Sequence, residues 1–209
     1  ISGYKRNLKP WEILGQVATV MHETEGGFRG GRERPTEPRV SAPPEVKDRG
    51  GANRAWNVVV MGMGEPLLNY DNTVIALRAL MDPEGFAVAP KKLTLSTVGI
   101  LPALEKLMQE PVRPNLAISL HAPNTRLRRE LMPIEEKYAL EDVIAAARRY
   151  PIPRGGLVTY EYVLLRGVND SPAQARELVR LLRGSRAKVN LIPLNPAPEI
   201  PFEAPTPEA

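Results

Sequence analysis

Residues 58–72, VVVMGMGEPLLNYDN, decide the fold. The stretch opens on Val58, Val59 and Val60, an apolar β-branched run that suits a strand buried in a sheet. It closes on a helix start. Between the two lie Gly62, Gly64, Glu65 and Pro66, so a carboxylate stands on a glycine turn at the end of an apolar strand. Strand, turn and helix in this order make one βα unit.

Reading outward, the same unit recurs. Strand-like runs lie at 56–63, 92–97, 115–122, 157–165 and 188–195. Between them, apolar residues at helical spacing mark 71–81 (Val74, Leu77, Leu80, Met81), 101–109, 140–149 (Leu140, Val143, Ile144, Ala147) and 171–183. The last helix is the best marked: Ser171 and Gln174 form a capping box, Pro172 takes the first helical position, and Gly184 stands past the end. A further helix spans 10–23, with Trp11, Leu14, Val17 and Met21 on one face. Residues 24–54 lack periodicity and are rich in Gly, Pro and charge, which predicts a long mobile loop. The proline-rich tail at 197–209 is expected to settle into nothing. Alternating strands and helices predict a parallel sheet; with no glycine fingerprint opening a helix, a barrel or partial barrel is expected over a dinucleotide-binding sheet.

Composition narrows the chemistry. The chain has no cysteine, which excludes disulfides, thiolate metal sites and a cysteine nucleophile from these 209 residues. Two histidines, His22 and His121, are too few for a histidine-built metal site. A net charge of +4 permits an anionic partner without demanding one. No run is long enough to span a membrane and no signal peptide is visible, so the expectation is a soluble cytoplasmic protein without a membrane partner.

In parallel βα folds a ligand meets the C-terminal ends of the strands. Those ends carry Gly62, Gly64 and Glu65; Ser96, Thr97 and Gly99; Ser119, His121 and Asn124; Arg166, Gly167, Asn169 and Asp170; and Asn195. They include no nucleophile–base pair. Glycines admit a ligand close to the backbone. Glu65 suits a cationic amine, and Ser96, Ser119 and Asn195 suit a carboxylate, hydroxyls or a heterocycle. The rim reads as a site whose chemistry comes from a bound cofactor. Singly, each residue has a plainer reading as a turn former or packed hydroxyl; their shared position lifts the set above its parts.

The blocks MGMGEPLLNYDN, LTLSTVGILPALEKL, NLAISLHAPNTRLRRELMPIEEKYAL, TYEYVLLRGVNDS and KVNLIPLNP occur in this order and spacing. Together they resemble the RlmN-like radical-SAM adenine methyltransferases, which methylate carbon 2 of an adenine in 23S rRNA and, in some members, tRNA. The resemblance covers residues 3–196 apart from the loop at 24–54. It implies an α/β partial (β/α) barrel of radical-SAM type, with the five runs as its second to sixth strands, so that 1–196 is the barrel core. It also implies that Gly64 and Glu65 bind the amino group of S-adenosylmethionine (SAM), that Ser96 contacts its methionine part, that Ser119, Leu120 and His121 bind its sugar and methionine region, and that Asn195 completes the pocket.

The departures matter equally. The family holds a 4Fe-4S cluster on a CxxxCxxC loop just before the phrase matched by Gly3–Leu8, and uses two further cysteines; this chain has none of the five. The family's first strand and its N-terminal RNA-binding region are also unmatched. The resemblance implies radical chemistry that needs the cluster and an electron donor. The chain as it stands is therefore expected to bind SAM weakly and to catalyse nothing, and no catalytic residue is assigned within it. Arg126, Arg128 and Arg129, together with Arg29, Arg32, Arg34 and Arg39, are candidate contacts to RNA phosphates. The alternatives are a Cfr-like enzyme acting on carbon 8 of adenine, and a non-catalytic RNA-binding or scaffold barrel.

Overall fold

The computed structural model describes residues 6–25 (22–25 as backbone alone), 57–61, 64–111, 113–153 and 155–206. Of the mobile loop read at 24–54, residues 24 and 25 instead end the first helix, while 26–54 with their four arginines, Gly62 and the first residues of the GYKRNL phrase lie outside the described residues.

Eleven elements build the fold: α1 (Pro10–Glu25), β1 (Val58–Val60), α2 (Tyr70–Met81), β2 (Leu93–Thr97), α3 (Leu101–Met108), β3 (Asn115–Ser119), α4 (Thr125–Leu131), α5 (Leu140–Arg149), β4 (Val158–Leu164), α6 (Pro172–Leu182) and β5 (Ala187–Pro193). The strands form one parallel sheet in the order β1-β2-β3-β4-β5. Each crossover advances one strand in the same direction. A doubly wound sheet reverses direction at its switch point; this sheet does not, which is the wall of an open barrel.

Register sorts the side chains onto two faces, because successive residues of a strand point to opposite sides. Leu93, Leu95, Leu116, Ile118, Val158 and Tyr160 share one face, with Leu95 opposite Leu116 and Ile118 opposite Tyr160. All are buried and pack with Leu77, Leu80, Leu104, Leu107, Val143 and Ile144 of the helices. The opposite, inner face carries Ser96, Ser119, Glu161 and Asn190. Burial on both sides, expected of the first strand, is not met: Val59, on the inner face of this edge strand, is half exposed.

The helices follow from their patterns. In α2, Val74, Leu77 and Leu80 are buried while Asp71, Ile75 and Arg78 face out. In α5, acidic Glu141 and Asp142 open the helix and basic Arg148 and Arg149 close it, each complementing the helix dipole. The capping box of α6 forms as read, with Gln174 N–H donating to Ser171 Oγ at 3.3 Å and Ser171 N–H to Gln174 Oε1 at 3.0 Å.

Helix α4 was not legible as a helix because its inward positions are Leu127 and an arginine. Arg128 is fully buried and paired with the buried Glu135. Its guanidinium also donates to Val98 O at 2.9 Å and to Tyr138 O at 3.3 Å, and Glu135 Oε1 accepts from Leu140 N–H at 2.9 Å. Arg128 is therefore unable to contact RNA phosphate; of the expected basic cluster, Arg126 and Arg129 are exposed. The tail also departs from expectation. Arg166 N–H donates to Glu203 O at 3.0 Å and its guanidinium to Glu203 Oε2 at 3.0 Å, so the tail returns onto the turn after β4.

Gly99 shows why the βα turns are glycine-rich. It has φ +96°, and a Cβ there would lie 2.6 Å from Val143 Cγ1 and 2.9 Å from Cγ2. Packing of α5, rather than ligand access, demands this glycine. Gly99→Ala is expected to destabilise the fold by more than the ~1–3 kcal/mol of the backbone conformation alone, because the contact with Val143 adds to it. Urea unfolding of both proteins measures this; a loss under 1 kcal/mol, on the order of a surface substitution, contradicts it.

Candidate functional site

Glu65 is not bare. Its Oε1 accepts hydrogen bonds from Leu67 N–H at 2.9 Å and from Thr97 Oγ1 at 2.7 Å, and Oε2 accepts from Val98 N–H at 2.8 Å. Pro66 follows it and opens a single 3₁₀ turn, Pro66–Asn69, which Glu65 caps. The carboxylate thus ties the end of β1 to the end of β2. A carboxylate has about four acceptor positions, so one is left for a ligand, on Oε2. Gly64 beside it has φ +112° and open space where a side chain would be. That backbone conformation favours glycine and leaves the main chain accessible.

The partner of Glu65 across the strand ends is Thr97, not Ser96. Ser96 points to the inner face, nearly buried, opposite Ala117 of β3. Two residues further along β3, Ser119 shares that face, and it aligns with Glu161 of β4, which aligns with Asn190 of β5. Asn190 Nδ2 donates to Glu161 Oε2 at 2.7 Å. Glu161 and Asn190 were not singled out from the sequence. The signal was there: in TYEYVL the tyrosines alternate with Glu161, and a charge at mid-strand marks a polar face.

The turn after β3 is tightly held. Leu120 and His121 donate their N–H groups to Glu161 O at 2.9 and 3.2 Å. The Leu120 side chain is fully buried, so any contact it makes with a ligand is through the main chain. His121 has φ +57°. Its Nδ1 accepts from Val163 N–H at 3.1 Å, and its carbonyl accepts from Asn169 Nδ2 at 2.8 Å. Burial, with the Arg128 charge nearby, pulls its pKa down to about 4. His121 is thus neutral near pH 7, with its proton on Nε2. Asn169 is buried and bonded also to Val163 O and Leu165 N–H, which makes it a clasp between turns. Asn195 is exposed, two residues past β5 and well above the level of Ser119.

The structure therefore makes two clusters: Glu65 with Thr97 and Val98 on the rim, and Ser119 with Glu161 and Asn190 on the inner face. An accessible backbone at Gly64, a free carboxylate position and inner-face hydroxyls fit an amine-bearing nucleoside such as SAM. They do not fit an iron–sulfur cluster. The chain has no cysteine, and among the described residues no group of three His, Asp or Glu side chains is placed to hold a metal.

Comparison with known proteins agrees with this architecture. The family model described as "Radical SAM superfamily" matches residues 22–179. The dual-specificity RNA methyltransferase RlmN of Syntrophobacter fumaroxidans is 44% identical over 205 residues, covering 98% of this chain and 52% of that protein. The RlmN of Syntrophus aciditrophicus is 43% identical over 206 residues, with 99% and 52% covered. The chain thus spans about half the length of these relatives. Among solved structures, a radical SAM methyltransferase from Sphaerobacter thermophilus superposes with a TM-score of 0.79 at 42% identity, covering 99% of this chain and 53% of that one. A domain of pyruvate-formate lyase-activating enzyme from Bacteroides vulgatus superposes with a TM-score of 0.51 at 17% identity, covering 73% and 87%, which speaks to the fold alone. An open parallel barrel wall, a Gly64–Glu65–Pro66 turn after its first strand and a family match over three quarters of the chain lead to one assignment: this chain belongs to the radical SAM superfamily.

Proposed function

We propose that this chain is the SAM-binding part of an RNA methyltransferase that adds a methyl group to carbon 2 of adenine, in 23S rRNA and in tRNA. The observation that carries this reading is the set of polar groups at the C-terminal strand ends, on a chain with 44% identity to an RNA methyltransferase along nearly all of its length. SAM, when bound, supplies the methyl group. Carbon 2 of adenine is electron-poor, so simple methyl displacement does not serve, and the reaction calls on a 4Fe-4S cluster and an electron donor. The cluster thiolates are not among these 209 residues. On its own the chain is accordingly a binding unit.

Its residues have definable tasks. The Gly64 main chain and the remaining acceptor position of Glu65 hold the SAM ammonium, a charge-assisted hydrogen bond. Ser96, Ser119, the main chain of Leu120, His121 and Asn195 line the path of the methionine and sugar. Neutral His121 adds no positive charge near the SAM sulfonium. The exposed Arg126 and Arg129, beside the same rim, face RNA phosphates; Arg126 exchanges its contact with Glu130 at 3.1 Å to do so.

Glu65→Gln is expected to weaken SAM binding by about ten- to a hundredfold, the loss of one hydrogen bond to a charged group. It also sets an amide NH₂ against one of three donors, so a fall in stability of about 1–3 kcal/mol is expected. Thr97→Val separates the two effects: it removes a donor to Glu65 and lowers stability, yet leaves SAM affinity within about threefold, under 1 kcal/mol. Calorimetric titration with thermal melts decides. Equal affinity losses in both variants, or no loss in a folded Glu65→Gln protein, would show that Glu65 only shapes the turn.

The histidine makes a second prediction. Its pKa in the folded protein lies near 4, below the ~6.5 of an unfolded histidine. The unfolded chain binds the extra proton first, so this group's contribution to stability is intact above pH 6.5 and declines as pH falls from there toward 4. Nitrogen NMR of His121 should show the Nε2–H tautomer down to about pH 5, one unit above its pKa. A midpoint near 6.5 in the folded protein contradicts the burial.

A further inference from the structure

A cavity of about 280 Å³ lies at the base of the barrel wall, at the opposite end of the strands from the rim. It opens between the last turns of α5 and α6 and the first residues of β4. Ala147, Ile152 and Val158 give it apolar sides. Arg148, Tyr160, Ser185 and Arg186 bring polar groups to it, and no carboxylate lines it. Tyr160 is fully buried, yet its hydroxyl has no hydrogen-bond partner among the described residues. Ser185 stands beside it without reaching hydrogen-bond geometry. A buried hydroxyl left unpaired is costly and uncommon in a folded protein. Burial pushes the Tyr160 pKa up to about 12, against the opposing pull of Arg148 and Ser185, so the group is a neutral donor near pH 7.

Other donors converge on the same space. Arg148 is fixed by its own bonds: Nε donates to Ser185 Oγ at 2.9 Å, and Nη2 donates to Leu181 O at 2.9 Å and to Arg183 O at 3.2 Å. Its Nη1 has no partner among the described residues. Ser185 Oγ accepts from Arg148 and keeps its own hydrogen to give. Arg186 is exposed, and its guanidinium has no partner among the described residues. The carbonyls ending α5 and α6 carry partial negative charge, which opposes an anion. Arg148 offsets this at α6 by covering two of them, and the segment 180–188 holds Arg180, Arg183, Arg186 and Lys188 without an acid. The two hydroxyls and Nη1 supply four hydrogens and Arg186 adds its fork, more than the about four coplanar acceptor positions of a carboxylate. A phosphate, with oxygens on several sides, accepts from all of them. The Tyr160 hydroxyl is below the surface, so a backbone phosphate with a nucleotide on each side would stay at the mouth, whereas a terminal phosphate enters. We propose that this cavity binds the terminal phosphate of a small phosphate ester, with Tyr160 and Ser185 as its deep donors and Arg148 and Arg186 as its cationic clamp. The site is separate from the SAM pocket and does not depend on that reading.

Three probes test it: inorganic phosphate, ribose 5-phosphate, and an RNA oligomer without a terminal phosphate. Each is titrated into the chain at constant ionic strength and followed by calorimetry and by the NMR shifts of the Gly184, Ser185 and Arg186 amides. Both phosphates are expected to give saturable shifts at these amides, and the RNA oligomer to leave them in place. Arg186→Gln is expected to weaken phosphate binding by about tenfold or more, the worth of a hydrogen bond to a charged group. Tyr160→Phe is expected to weaken it by about three- to tenfold. Because Tyr160→Phe removes an unpaired hydroxyl, its melting temperature should be unchanged or higher. Glu65→Gln, at the rim, should bind phosphate as the unaltered chain does, even where SAM affinity is lost. The proposal is overturned if neither phosphate saturates the site, or if affinity survives intact in Arg186→Gln or Tyr160→Phe. Equal shifts with the RNA oligomer also overturn it, and would assign the arginines to backbone contacts instead. A marked fall in the melting temperature of Tyr160→Phe overturns it too, since the hydroxyl would then be satisfied within the protein.

Discussion

A guanidinium and a carboxylate, Arg128 and Glu135, are buried against each other beneath the rim, and the positions of four segments depend on that pair. Arg128 belongs to α4, its donors reach the carbonyl of Val98 after β2 and that of Tyr138 before α5, and Glu135 receives the first amide of α5. Removing one partner of such a pair costs about 3–5 kcal/mol, because the other charge is left in the interior without compensation. An apolar replacement of both would match the packing but free the loop. The pair is thus a fixture for geometry more than a source of stability.

The geometry it fixes is that of Glu65. Val98 stands between the two: its carbonyl accepts from Arg128 and its amide donates to Glu65. Thr97, the residue before it, also donates to Glu65, and Gly99, the residue after it, admits Val143 of α5. One short turn therefore passes constraint from the helices to the rim. A carboxylate with three of its acceptor positions occupied by the protein is preorganised, so the remaining position points where the fold directs it and little entropy is lost when a ligand arrives. On the other side of the wall His121 and Asn169 do similar work between β3 and β4, with neutral side chains in place of charges.

Much of this was legible in the residues. The five strands, the order of the helices and the capping box of α6 follow from apolar period and turn chemistry, and the position of the rim follows from parallel topology. The roles of the rim residues were less so. Glu65 read as a ligand for an amine, while the structure shows it first as a cap and a tie between strands. Arg128 read as a surface cation because nothing in TRLRREL distinguishes a buried arginine from an exposed one; its partner Glu135 is seven residues away, past the end of α4 and outside the i,i+3 and i,i+4 pairs of one helix. Helix α4 escaped for the same reason, since apolar periodicity cannot mark a helix whose buried face is half arginine. Glu161 was hidden by the apolar residues around it, although its alternation with two tyrosines showed which way it points.

The dependence of the rim on the buried pair can be measured residue by residue. Amide hydrogen exchange of the unaltered chain and of Arg128→Met, a change that keeps the volume and removes the charge, reports how firmly each N–H is held. The account predicts that the amides of Val98 and Leu67, both donors to Glu65, lose protection by at least about tenfold more than the amides of β3, equivalent to about 1.4 kcal/mol of local opening. A uniform loss across sheet and rim, or unchanged protection at Val98, would show that Glu65 is held without Arg128, and the buried pair would not be what organises the site.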